Sequence, residues 1–186
     1  MNATLKMIFE RRSCRSFDRE KKVSEEDLYT VLKAGAYAPS AMNSQAWHFT
    51  AVISPDKLKV LNDAVRSVTA PPDVERISSR TADNGFNFFY SAPVLLIVSC
   101  SDKSIEPASD CACALENMFL AATSLGLGSC WINQLTHNCD KPAVREALNS
   151  IGVPSENKVY GCCALGYTSG PSPLKDRAAG VVNLVK

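Results

Sequence analysis

Residues 110–125 are apolar around most of a helical circumference: Ala112, Ala114, Leu115, Met118, Phe119, Ala121, Ala122 and Leu125 leave only a narrow polar stripe. Gly126 follows at the position where a left-handed residue commonly ends a helix. A helix of this kind cannot rest on a surface, because nearly every side must be buried. One neighbour is legible upstream. Residues 94–100, Val-Leu-Leu-Ile-Val-Ser-Cys, form a short and nearly unbroken apolar run, which predicts a central strand. In a chain of 186 residues, the far side of such a helix is most simply covered by a second subunit.

The other elements alternate around this pair. Residues 4–10 predict a short helix. Ser24 opens a better one: Val23 and Leu28 can staple it, and Ser24 with Asp27 resembles a capping box. Pro39 stops that helix near Ala38. Residues 47–53 alternate as a strand. Ser54-Pro55 then starts a helix that continues through Leu58, Leu61, Val65 and Val68. Residues 69–89 are weakly periodic and read as a long connection with room for one short helix. Residues 129–134 predict a short strand, and Asp140 caps a helix through Leu148. Residues 158–167 predict another buried strand, 169–177 a loop, and 181–185 a final apolar strand that needs a sheet to join. Strands alternating with helices argue for a three-layer α/β/α arrangement in one domain, residues 1–186.

A net charge of +1 does not suggest a nucleic-acid binder. No apolar run reaches membrane-spanning length. The first residues lack a secretion signal, so the expectation is a cytoplasmic protein. The eight cysteines (Cys14, Cys100, Cys111, Cys113, Cys130, Cys139, Cys162 and Cys163) show no C-x-x-C pair, and most sit in apolar stretches. They read as buried reduced thiols rather than metal ligands.

Three polar constellations remain. Arg11-Arg12-Ser13-Cys14-Arg15 offers guanidinium groups suited to phosphate oxygens, and reads equally well as a solvated basic turn. Residues 38–47 pack Asn, Ser and Gln between a helix end and a strand start. Such amides suit the edge of a heterocycle, although these residues also favour ordinary turns. Lys175 and Arg177 alternate, so on an extended segment they could grip one anion; alone, they look more like a charged surface loop.

Together the pieces resemble a known family. Arg11-Arg12-Ser13-x-Arg15-x-Phe17, Ala38-Pro39-Ser40-x-x-Asn43-x-Gln45-x-Trp47, Gly126-Leu127-Gly128-x-x-Trp131-Ile132, Ala164-Leu165-Gly166-Tyr167 and Lys175-x-Arg177 are similar, in order and separation, to the nitroreductase family of FMN enzymes. The resemblance spans essentially the whole chain. It implies an α+β fold with a central, mostly antiparallel sheet flanked by helices, in a domain-swapped homodimer with FMN at the subunit interface. It implies that Arg11, Arg12, Ser13 and Arg15 hold the phosphate and flank the flavin, with Lys175 and Arg177 completing the phosphate site. Pro39, Ser40, Met42 and Asn43 match the segment contributed by the partner chain. Trp131, Ile132, Asn133 and Gln134 match the segment along the isoalloxazine. NADH or NADPH would be the reductant, and a nitroaromatic, quinone or similar small molecule the acceptor.

This chain departs from the family pattern at Ala46, where many members carry proline, and at Asn133, often glycine or acidic. No residue is assigned as a catalytic acid or base, and neither His48 nor His137 suggests one. Two alternatives stand beside this reading. One is a flavin-binding protein without turnover. The other is a specialised flavin enzyme of the same fold, such as a dehalogenase, whose extra lid residues a chain this short is expected to lack.

Overall fold

Four strands order the chain: β1 (Trp47–Val52), β2 (Val94–Ser101), β3 (Gly128–Ile132) and β4 (Asn157–Gly166) form one sheet in the order β1-β2-β4-β3. Every pairing in it is antiparallel. The structure is a computed structural model that describes residues 1–81, 85–170, 173, 176–178, 180 and 182–185. The apolar run singled out in the sequence is β2, which lies inside the sheet and is buried along all but its last residue. Alternation sends Leu95 and Ile97 to one face, and Val94, Leu96, Val98 and Cys100 to the other. Each large side chain so buried contributes about 1.5–3 kcal/mol.

Both faces are covered, giving the expected three layers. On one side α3 (Pro55–Ser67), α4 (Pro71–Ser78), α6 (Gln134–Asn138) and α7 (Pro142–Asn149) supply Leu61, Val65, Ile77, Leu135, Val144 and Leu148. On the other side α2 (Glu25–Ala36) and α5 (Pro107–Ser124) supply Val31, Leu115, Met118 and Phe119. α1 (Ala3–Glu10) lies against α5 and buries none of its own residues. The start of α2 follows its sequence signal, since Ser24 Oγ accepts the Asp27 N–H at 3.0 Å.

Several boundaries differ from expectation, for identifiable reasons. α5 begins at Pro107 and α7 at Pro142, so Lys141 rather than Asp140 is the N-cap. Proline at the first helical position is pre-set for a helix and loses no needed N–H. β3 stops at Ile132, because Asn133 leaves the extended region (φ −111°, ψ −6°) and Gln134 opens α6. His137 therefore lies on α6. The long connection does contain its short helix, α4. Residues 182–185 form no strand, and Val182, Leu184 and Val185 are exposed; residue 181 lies outside the described residues. β1 is an edge strand whose outer side no described residue bridges.

None of the eight cysteines is in a disulfide and seven are buried; Cys113 on α5 is exposed, contrary to a uniformly buried set. Among the described residues no cluster of His, Cys, Asp and Glu is placed to hold a metal. No described helix is long and apolar enough to cross a membrane. Burial, helped by the neighbouring Cys100 and Asp110, pushes the Cys111 thiol from 9.0 up to about 12, and burial raises Cys162 and Cys163 as well. The unfolded chain releases these protons at lower pH than the folded one. Their contribution to stability is therefore complete below about pH 9 and is lost as pH rises toward 12. Urea unfolding across that window is expected to show falling stability, and Cys111→Ala a shallower fall, by up to about 1.4 kcal/mol per pH unit. An unchanged slope in the variant would exclude Cys111 as a source.

Candidate functional site

The segment after α1 is stitched to the far edge of the sheet. Ser13 bridges Ser129 in parallel register, and the Cys14 N–H donates to Ser129 O at 2.8 Å. Phe17 bridges Thr168, the Asp18 N–H donates to Tyr167 O, and the Ser16 and Ser169 hydroxyls lie 2.6 Å apart. Residues 13–18 thus cover the outer edge of β3 and the exit from β4. The approach is close enough to require glycine at position 128: a Cβ there would lie 2.7 Å from Thr168 Cγ2 and 2.9 Å from Cys14 Cβ and Sγ. Gly128 and Ser129 are therefore the bed on which Ser13 and Cys14 lie.

The three arginines of that segment differ in what holds them. Arg11 meets Glu116 of α5 through Nε at 3.5 Å, which leaves its paired Nη donors for another acceptor. Arg15 is exposed and its guanidinium lies over the Tyr90 ring, 6.0 Å from the centroid. Arg12 instead turns back: its Nη1 donates to Phe9 O and Arg11 O, both at 2.6 Å, capping the end of α1. The Arg12 Nε is buried with no partner among the described residues, so one donor is still open. Burial pushes the Cys130 thiol up, and the Arg15 and Arg11 guanidinium groups oppose that push. Ser13 is exposed beside them.

The 131–134 stretch continues from the same strand. The Trp131 indole packs against Phe119, with centroids 5.9 Å apart, and is 37% exposed, leaving it partly open to solvent. It also lies over Gly161, where a Cβ would come within 2.8 Å of its ring. Its Nε1 donates to Asn133 Oδ1. Ile132 is buried, while Asn133 is exposed and Gln134 half-buried at the start of α6. Trp131 and Asn133 are thus the accessible pair of the four.

Pro39, Ser40, Met42 and Asn43 lie elsewhere, in the turn between α2 and β1. Pro39, Met42 and Asn43 are exposed, Met42 by 87%. Met42, Asn43 and Gln45 adopt positive φ of 52°, 54° and 47°. Arg177 is exposed; Lys175 lies outside the described residues. Three participants escaped the sequence reading: Glu116, Tyr90, and Asp110, whose Oδ1 accepts the Ala41 N–H at 3.0 Å. Only Asp110 left a faint local signal, as an acid in the first turn of a helix.

The Nitroreductase family profile matches residues 8–167. A relative from Archaeoglobus fulgidus, named for NADH dehydrogenase/NAD(P)H nitroreductase activity, is 32% identical over 182 residues, covering 95% of this chain and 90% of the relative. The crystal structure of a nitroreductase with bound FMN from Bacteroides fragilis is 47% identical, with a TM-score of 0.90 and all of both chains covered. An iodotyrosine deiodinase from Thermotoga neapolitana is 27% identical, over 96% of this chain and 97% of that protein.

Proposed function

Because the chain belongs to the nitroreductase family and is an NAD(P)H-dependent FMN oxidoreductase, we propose that it works as a homodimer and passes hydride by a ping-pong cycle to a nitroaromatic, quinone or similar small acceptor. The observation that carries this reading is the pairing of Ser13 and Cys14 with Ser129, which seats the segment that carries Arg11 and Arg15 on the same strand as the exposed Trp131. Bound FMN supplies hydride acceptance and donation at N5. The chain supplies binding and orientation. Arg11 and Arg15 offer charge-assisted donors to a phosphate, Arg12 adds its charge from the end of α1, and Ser13 adds a hydroxyl. Lys175 and Arg177 complete that set. Trp131, Ile132, Asn133 and Gln134 run along the ring system, with the Asn133 amide steadied by the indole N–H.

The partner brings Pro39, Ser40, Met42 and Asn43; the exposure of Pro39, Met42 and Asn43 suits such a contact. The open edge of β1 and the exposed Val182, Leu184 and Val185 suit an exchange of C-terminal strands between subunits. No protein acid or base is assigned. His48 is exposed on β1, 3.4 Å from Thr50 Oγ1, and His137 is exposed on α6.

A second reading gains from the comparisons. The deiodinase is matched over 97% of its length, so a chain of this size does not argue against a specialised flavin enzyme. One set of measurements separates the readings. The purified protein is expected to be a yellow dimer that oxidises NADH or NADPH with a nitroaromatic or quinone. Turnover with an iodophenol alone would favour the specialised enzyme, and bound flavin without turnover a non-catalytic binder. A colourless protein that takes up no added FMN would overturn the proposal.

A further inference from the structure

We infer that Asp110, at the start of α5, is a positioning residue that fixes the 40–45 turn for its flavin contact; this rests on the reading that residues 39–43 meet the cofactor of the partner site. The turn cannot be held by its own preferences. Met42, Asn43 and Gln45 all adopt the left-handed conformation that non-glycine residues disfavour. Such backbone persists only where the surroundings over-determine it, and it clusters at ligand contacts.

The bonds within the turn tie it to itself. Ser40 Oγ accepts the Gln45 N–H at 3.0 Å, and Asn43 Oδ1 accepts from Gln45 Nε2 at 3.1 Å. Neither fixes the turn to the body of the molecule, and the exposed Met42 side chain offers no packing anchor. Among the described residues, the recorded hydrogen bond from this turn to another element is the Ala41 N–H to Asp110 Oδ1, across 69 positions of sequence.

The character of the acceptor points the same way. Asp110 is 6% exposed, and its Oδ2 has no partner among the described residues. A buried carboxylate with an unpaired oxygen is costly, and such groups call for a functional reason. α5 also carries Glu116, which meets Arg11, and the six-residue step from Asp110 to Glu116 spans about 9 Å of helix. One rigid helix therefore sets the place of an arginine serving one flavin and of the turn serving the other.

The test uses the full-length protein with Asp110→Ala, Asp110→Asn and Ala41→Pro. The last removes the donor and sets the proline ring Cδ where the N–H hydrogen pointed, so the Asp110 carboxylate must withdraw from Ala41; Ser40 is already extended (φ −140°, ψ 152°), as a residue before proline must be. Amide exchange over residues 38–47 of the flavin-free protein is expected to quicken about 10-fold in Asp110→Ala, as loss of a hydrogen bond to a charged group predicts. FMN should bind about 10-fold more weakly, with an altered visible spectrum of the remaining bound flavin. Asp110→Asn keeps an acceptor at Oδ1 and should recover most of both effects. Asp110→Ala added to Ala41→Pro should change neither further.

Unchanged exchange over 38–47 in Asp110→Ala would overturn the positioning role. Equal loosening of α5 in Asp110→Ala and Asp110→Asn would also overturn it, by reducing Asp110 to a helix-start charge. Faster exchange with unaltered FMN affinity would instead refute the flavin contact of residues 39–43. If Asp110→Ala does not fold, Ala41→Pro alone decides, since it must reproduce both the exchange and the affinity change.

Discussion

Replacing Arg11 and Arg15 together by alanine is expected to weaken FMN binding by about 10²–10⁴-fold while leaving the fold standing. Each guanidinium that donates to a phosphate contributes about 1.5–3 kcal/mol, so two give about 3–6 kcal/mol, or two to four decades of affinity. The fold loses little. Arg15 is exposed, and the Arg11–Glu116 pair, with side chains 24% and 52% exposed, is a surface contact worth about 0–1 kcal/mol. Lysine at either position should recover only part of the affinity, because it keeps the charge and loses the paired planar donors. Titration of flavin-free protein, followed by FMN fluorescence, gives the dissociation constants, and thermal unfolding checks the fold. Affinity in the double variant within about 3-fold of the parent would remove these arginines from the phosphate site, since one charge-assisted bond alone exceeds that factor.

The part of the fold that the sequence made legible is the part governed by local periodicity. β2 was readable because burial on both faces leaves an unbroken apolar signature, and α5 because its apolar residues include the stripe of Ala114, Leu115, Met118, Phe119 and Ala122 that the chain buries. The N-cap of α2 was readable because Ser24 and Asp27 are near neighbours. What stayed hidden depends on distant pairs. Asp110 and Ala41, Glu116 and Arg11, or Tyr90 and Arg15 meet only once the sheet is formed, so no spacing announces them. Arg12 matched the phosphate motif, yet its Nη1 is spent on the end of α1, a use invisible until the carbonyls of Phe9 and Arg11 are placed. The apolar 181–185 stretch reads as a strand because the pattern records what it must pair with, not where. Within one chain its described residues pair with nothing, and β1 keeps an edge that no described residue bridges.

Gly128→Val should join fold and site in one measurement. The valine Cβ would fall 2.7 Å from Thr168 Cγ2 and 2.9 Å from Cys14 Cβ and Sγ, distances at which something must move. Cys14 is buried and its N–H is bonded to Ser129, so it cannot yield without shifting the backbone that carries Ser13 and Arg15. Overpacking of this kind costs about 3 kcal/mol, which lowers the melting temperature by about 6–12 °C in a chain of this size. The same displacement should weaken FMN by at least about 10-fold, because charge-assisted donors lose strength steeply when misplaced. Gly128→Ala is the milder probe. Combining it with Thr168→Ser removes the nearest methyl, so the pair should be less damaging than Gly128→Ala alone, the non-additivity expected of residues in contact. A Gly128→Val protein that melts early yet binds FMN as tightly as the parent would show that the seat of residues 13–15 on β3 is structural and does not set the arginines for the phosphate.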